Sequence, residues 1–254
     1  MAIEHGYKIE KECTVPLMKE PSGSGRGGLK VAVIGGGPAG LACAAGLAKK
    51  GHAVTIFEAE EFLGGILRYG IPTFRLERKI VEDTIDKILK LGIEVKTQVK
   101  LEKDYTIQSL KEEGYDAIFL GIGANIATYM GIEGENLYGV FGGNELLKTN
   151  KHPDYTSKRV AVIGGGNTAM DIARTAKRMG AKESIVIYRR DESHMPAEKK
   201  EIKDAKDDEI QFMFKTNIIK IMKGNKTNLQ IECIKTELAK AEEGKRKVPV
   251  DVKR

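Results

Sequence analysis

Two short segments of the 254-residue chain carry residue types and spacing suited to holding a diphosphate. The first, Gly35-Gly36-Gly37-Pro38-Ala39-Gly40, matches G-x-G-x-x-G directly after an apolar run and directly before a run of small residues. In that context Gly35 permits a tight strand-to-helix turn. Gly37 lets backbone approach a pyrophosphate with no Cβ in the way, and Gly40 lets the helix pack closely on the strand. The anion then sits on unpaired N–H groups at the positive end of the helix dipole. Glu58 follows Gly40 by 18 residues and ends a second apolar run, where a carboxylate accepts both hydroxyl hydrogens of an adenosine ribose. A structural glycine turn with a surface glutamate is the plainer alternative.

The second segment, Gly164-Gly165-Gly166-Asn167-Thr168-Ala169, starts 129 residues after the first and ends in the tolerated Ala variant. What differs is the acid. The run after its second apolar stretch is Tyr188-Arg189-Arg190, so a ribose bearing a 2′-phosphate meets two guanidiniums instead of a repelling carboxylate. A charged hydrogen bond is worth roughly 1.5–3 kcal/mol, so two of them favour NADPH over NADH by a factor on the order of a hundred. Two solvated surface arginines are the bland reading. Between the two segments, Gly64-Gly65-Ile66-Leu67-Arg68-Tyr69-Gly70 leads to Arg75. Spacing alone allows this stretch either to line a flavin or to be an ordinary loop.

These residues need a particular scaffold. Residues 30–34 read as a strand, 41–48 as a small-residue helix stopped at Gly51, and 52–57 as the next strand, which makes a β-α-β unit with parallel strands. A helical stripe runs over 76–91, Thr106 is a candidate N-cap for a short helix, and 115–120 is strand-like. The same grammar repeats over 159–163, 167–179 and 184–188. A charged helix over 197–208, its Lys199-Lys200-Glu201 and Lys206-Asp207-Asp208 runs read as a solvated face, precedes three strands near 210–214, 217–222 and 229–235. The fold class is therefore α/β, with two Rossmann-like dinucleotide-binding domains. Residues 1–28 read as an arm or linker rich in Gly and Ser at its end, 29–151 as the first dinucleotide-binding domain and 152–254 as the second, NADPH-binding one.

Composition narrows the class. With 41% hydrophobic and 31% charged residues the chain is globular, and 29 glycines argue against an all-helical bundle. Cys13, Cys43 and Cys233 form no C-x-x-C pair, and the four histidines are scattered, so neither a metal site nor a cysteine-ligated cluster is expected. Cys43 reads as a small core residue. The sequence opens with no secretory pattern and has no apolar stretch near the ~20 residues of a membrane helix, which points to the cytoplasm. A net charge of +6 attracts anionic ligands without requiring nucleic acid.

Taken with Gly114-Tyr115-Asp116-Ala117 and Met195-Pro196-Ala197, the Gly64–Arg75 segment and the Tyr188-Arg189-Arg190 run resemble the small (beta) subunit of glutamate synthase and its relatives. These include the electron-entry part of dihydropyrimidine dehydrogenase. The likeness runs from about residue 30 to the C-terminus. It implies FAD at Gly35, Gly37, Pro38, Ala39, Gly40, Glu58, Gly65, Ile66 and Arg75, and NADPH at Gly164, Gly165, Gly166, Asn167, Thr168, Arg189 and Arg190. It further implies hydride transfer from NADPH to FAD, with no catalytic nucleophile or base, and delivery of electrons to an iron–sulfur protein or domain and the glutamate synthase large subunit. A non-catalytic dinucleotide-binding fragment and an NADPH:ferredoxin or other-acceptor reductase are the alternatives. Relatives carry a cysteine-rich N-terminal cluster domain, and continue past the equivalent of Arg254 into a segment that completes the FAD domain. The resemblance thus implies a truncated chain. Ala127 and Glu133 stand where relatives have prolines.

Overall fold

The computed structural model describes residues 28–124, 126–225, 228–238 and 249–251. The arm expected over 1–28, and Cys13 with it, lies outside the described residues apart from Gly28. The chain divides into two compact units, one ending at Ala124 and the other beginning at Asn125.

In the first unit, β1 (Lys30–Ile34), α1 (Pro38–Lys49) and β2 (Ala53–Phe57) form the expected β-α-β. They are followed by α2 (Ile66–Tyr69), α3 (Arg78–Leu89), β3 (Glu94–Lys96), α4 (Ile107–Glu112) and β4 (Ala117–Leu120). The sheet is parallel throughout, in the order β3-β2-β1-β4. Strand periodicity explains its two buried faces. Val31, Val33, Val54 and Ile56 point to one side, where Leu41 and Ala44 of α1 and Val81 and Ile85 of α3 cover them. Ala32, Ile34 and Phe57 point to the other, against Leu110 of α4 and Tyr115. Cys43 packs at the margin of the first of these clusters, half-buried.

Thr106 caps α4 as expected. Its hydroxyl accepts from the Ser109 amide and the Ser109 hydroxyl accepts from the Thr106 amide, both at 3.0 Å. Thr106→Ala is expected to lower stability by about 1 kcal/mol, read as a shift in urea midpoint. An unchanged midpoint would show that the box contributes nothing. Two short elements, α2 and β3, had no clear signal in the sequence.

The second unit comprises α5 (Gly143–Thr149), β5 (Arg159–Ile163), α6 (Asn167–Arg178), β6 (Glu183–Ile187), α7 (Lys199–Asp207), β7 (Gln211–Met213), β8 (Thr216–Lys223), β9 (Leu229–Leu238) and β10 (Pro249–Asp251). Strands β5, β6 and β7 form a parallel sheet in that order, while β8, β9 and β10 form a separate antiparallel sheet. One face of the parallel sheet packs Val162 and Val186 against Met170, Ala173, Ile202 and Leu146 from the helices. The other packs Ile187 against Ile218 and Ile221 of β8.

The division between units falls at 124/125 rather than at 151/152. Burial is the reason. Leu146 of α5 belongs to the core beneath α6, Ile132, Leu137 and Val140 pack on the cluster around Ile187, Ile218 and Ile221, and Glu133 pairs with Lys220 at 2.8 Å. The polar connector at 149–154 is thus a surface loop inside the second unit.

A second correction concerns α7. Its lysines are exposed, but Glu201 is only 8% exposed and meets Arg174 of α6, itself 6% exposed, at 3.2 Å. Arg174 also reaches Asp208 at 2.8 Å, and Arg178 holds the same carboxylate at 2.9 Å. Glu201 and Asp208 therefore serve an interhelical ion-pair network, whereas Asp207 is exposed and pairs with Lys203 of its own helix at 2.6 Å; composition alone cannot separate this pattern from a solvated face.

Candidate dinucleotide cradles

Each unit carries its glycine turn between the carboxyl end of its first strand and the amino end of the following helix. Gly35, at φ +101°, makes the first turn, and a Cβ there would lie 2.4 Å from the Gly121 carbonyl oxygen. A Cβ on Gly40 would lie 1.8 Å from the Gly35 oxygen, so close helix-on-strand packing is literal here. Gly37 differs. Its nearest neighbour for a Cβ is the Gly65 Cα at 3.7 Å, which leaves an open face where a ligand's phosphates can approach backbone. Gly37 is the N-cap of α1, Pro38 occupies the first turn, Pro38 and Ala39 are exposed, and no side chain caps the helix. An N-terminus so arranged fits an anion.

Glu58 is 7% exposed and does structural work besides. Its Oε2 accepts the Gly36 amide at 2.6 Å and its Oε1 accepts the Glu60 amide at 2.9 Å. The Tyr105 hydroxyl nearby is pushed up to about 12, by burial first and by the charge of Glu58 second. The middle glycine, Gly36, has a neighbour that the spacing did not reveal: a Cβ there would lie 2.3 Å from Leu63 Cδ2 and 3.0 Å from Glu58 Oε2, so Leu63 would have to shift. The Gly64-Gly65 stretch packs directly on the turn. Gly64 donates its amide to the Gly36 oxygen at 2.8 Å, and Gly65, at φ +51°, would drive a Cβ to 2.7 Å from Gly37 Cα. The exposed Ile66 begins α2 beside it. Arg75 is half-buried in the turn after Pro72, whose carbonyl accepts the Arg75 amide at 2.9 Å.

The second turn uses shape where the first uses a carboxylate. A Cβ on Gly165 would lie 2.6–2.9 Å from the ring of Tyr188, whose hydroxyl donates to the His194 carbonyl at 2.7 Å. Gly164 adopts φ +135°, and Gly166, with nothing nearer to a Cβ than Pro196 Cγ at 4.0 Å, is open like Gly37. The last position holds Ala169, whose Cβ lies 3.5 Å from where a Cβ on Gly164 would stand. Asn167 heads α6, its side-chain oxygen accepting the Glu198 amide at 2.9 Å, while the Gly165 oxygen accepts the Ala197 amide at 3.0 Å. Thr168 is half-buried, its methyl facing Gly143.

Arg189 is exposed and Arg190 half-buried just past β6. Among the described residues the buried Nε–H of Arg190 has no hydrogen-bond partner, a deficit that costs roughly 1–3 kcal/mol until an acceptor arrives. A phosphate oxygen is such an acceptor, so the donor set fits a phosphorylated ribose. Among the described residues no cluster of His, Cys, Asp or Glu could hold a metal ion, and no helix is long and apolar enough to cross a membrane.

Comparison with known proteins shows the family and the fold. The profile of the family described as pyridine nucleotide-disulphide oxidoreductase matches residues 29–252. The NADP(+)-dependent formate dehydrogenase subunit beta of Moorella thermoacetica is 40% identical over 232 residues, which cover 89% of this chain and 32% of that protein. The glutamate synthase [NADPH] small chain of Escherichia coli K12 is 35% identical over 259 residues, covering 96% of this chain and 55% of the relative. The resemblance expected from the sequence thus holds, although the chain spans only about a third to a half of these relatives. Among solved structures, Mycobacterium tuberculosis FprA in complex with NADPH superposes with a TM-score of 0.78 at 20% identity, over 89% of this chain and 68% of that one, which attests the fold. The chain belongs to the pyridine nucleotide-disulphide oxidoreductase family, a family of FAD- and NADP-binding oxidoreductases.

Proposed function

We propose that the protein is an NADPH-oxidising flavoprotein module, with FAD on the first unit and NADPH on the second, that passes electrons to an iron–sulfur partner of the kind served by the glutamate synthase small chain. One observation carries the assignment of cofactors: the two turns match, yet the position after the second strand holds an acid in one unit and two arginines in the other. A carboxylate suits ribose hydroxyls and repels a 2′-phosphate, whereas guanidiniums do the reverse.

The chemistry supplied when both cofactors are bound is hydride transfer from nicotinamide C4 to flavin N5, followed by release of single electrons. The protein's own part is binding and orientation. Gly37 and Gly166 present bare backbone to the diphosphates, Glu58 takes the ribose hydroxyls of FAD, and Arg189 and Arg190 take the 2′-phosphate of NADPH. Formate dehydrogenase and glutamate synthase relatives are named as subunits, which supports a partner that accepts the electrons.

The purified protein is expected to show flavin bands that bleach on anaerobic addition of NADPH. A colourless protein that still binds NADPH would instead make it a dinucleotide-binding module without turnover. Arg189→Ala combined with Arg190→Ala is expected to raise the NADPH dissociation constant about a hundredfold while shifting that of NADH far less. Equal shifts for both would remove the NADPH assignment.

A further inference from the structure

Strands β6 and β7 run parallel with Ile187 opposite Met213, and the chain stays paired beyond their carboxyl ends. The Tyr188 amide donates to the Met213 oxygen at 3.0 Å, the Thr216 amide to the Tyr188 oxygen at 3.1 Å, and the Lys215 amide to the Arg190 oxygen at 2.9 Å. Lys215 is thereby tied by backbone to the second of the two arginines. It is exposed, and it is held at φ +50°, a left-handed conformation that is strained for a non-glycine residue and persists where surrounding structure imposes it. In an open parallel sheet, ligands bind beyond the carboxyl ends of the strands, which is where Arg189, Arg190 and Lys215 all lie.

An acid lies at this corner. Asp191 is engaged by its own loop, its Oδ1 receiving the Ser193 hydroxyl at 2.7 Å and facing His194 Nδ1 at 2.5 Å. Those hydrogen bonds, from His194 first and Ser193 second, hold its carboxyl down to about 2, and the charge of Lys215 is close enough to add to the effect. Lys215 therefore stands within electrostatic reach of the residue that follows the arginine pair.

We propose that Lys215 is a third cation of the 2′-phosphate cradle, a specificity-determining residue that acts with Arg189 and Arg190 to favour NADPH over NADH. The inference rests on the reading of the second unit as the NADPH cradle. It adds a residue from the turn between β7 and β8, one that no glycine or arginine motif contains.

The test titrates the intact protein with NADPH, NADH and 2′,5′-ADP. Lys215→Asn removes the charge but keeps a residue that tolerates the left-handed conformation, and Lys215→Arg keeps the charge. For Lys215→Asn, NADPH and 2′,5′-ADP are expected to bind about tenfold more weakly while NADH moves by less than about twofold; Lys215→Arg should restore most of the loss. If Lys215→Asn changes NADPH and NADH alike, or neither, while the Arg189→Ala/Arg190→Ala protein still loses NADPH selectively, Lys215 is no part of the cradle. If the double arginine variant also leaves the NADPH-to-NADH ratio where it was, the cofactor assignment itself falls and Lys215 falls with it.

Discussion

Arg174→Met is expected to cost the second unit about 3–5 kcal/mol, a large share of the roughly 5–15 kcal/mol by which domains are stable. Methionine fills much the same volume, so the loss comes from charge and not from a cavity. The substitution withdraws a guanidinium from the buried carboxylate of Glu201 and from Asp208, with contacts of 3.2 and 2.8 Å. For a unit of this size the loss corresponds to a fall in Tm on the order of 10 °C or more, measurable by calorimetry. Arg174→Met with Glu201→Met should recover part of it, because a buried pair replaced whole by apolar side chains is often neutral. A single variant within about 1 kcal/mol of the parent would show the network to be energetically idle.

The same network sets an acid limit. Burial pushes the Asp208 carboxyl up, but hydrogen bonds from Arg174 and Arg178 outweigh it and hold the group below its usual range. Its folded pKa lies below the unfolded value, so its contribution is present above about pH 4 and disappears as pH falls through the folded value. Stability of the parent should decline on acidification below about pH 4, and less steeply in Asp208→Asn.

Gly40→Ala carries the other large effect. The new methyl would sit 1.8 Å from the Gly35 carbonyl oxygen and 3.2 Å from Val33 Cγ1, so α1 must lift from the sheet. Backbone cannot yield as a side-chain tip does, and a cost of about 3 kcal/mol or more is expected, with loss of bound flavin. Gly46 on the same helix is the control. It is exposed, a Cβ there meets nothing within 4 Å, and Gly46→Ala should stabilise by about 0.5–1 kcal/mol through helix propensity. Thermal melts showing the two variants alike would refute the steric argument.

Signals confined to a few neighbouring residues were legible in the sequence. Strands β1 and β5 begin and end where their apolar runs do, both glycine turns stand between a strand and a helix, and Thr106 caps α4. Relations between distant residues were not. Gly36 and Gly165 fall in the variable position of the motif, and each is crowded by a side chain more than 20 residues away, Leu63 with Glu58 in one unit and Tyr188 in the other. Glu201 looked like one more surface charge because its partner, Arg174, lies 27 residues earlier on another helix. The break between units was misplaced because a polar stretch marks a loop, whether or not a unit ends there.

The way each turn is anchored bears on how readily either cradle can change its preferred ligand over evolution. In the first unit the residue assigned to the ribose also fastens the loop, through the Gly36 amide, so a swap at Glu58 that altered selectivity would loosen the scaffold in the same stroke. In the second, an aromatic ring braces the loop by bulk, and the neighbouring positions 189 and 190 are relieved of that duty. On the proposed assignment, drift between phosphorylated and unphosphorylated pyridine nucleotides is open to the second unit by point substitution, whereas the first is held to its adenylate.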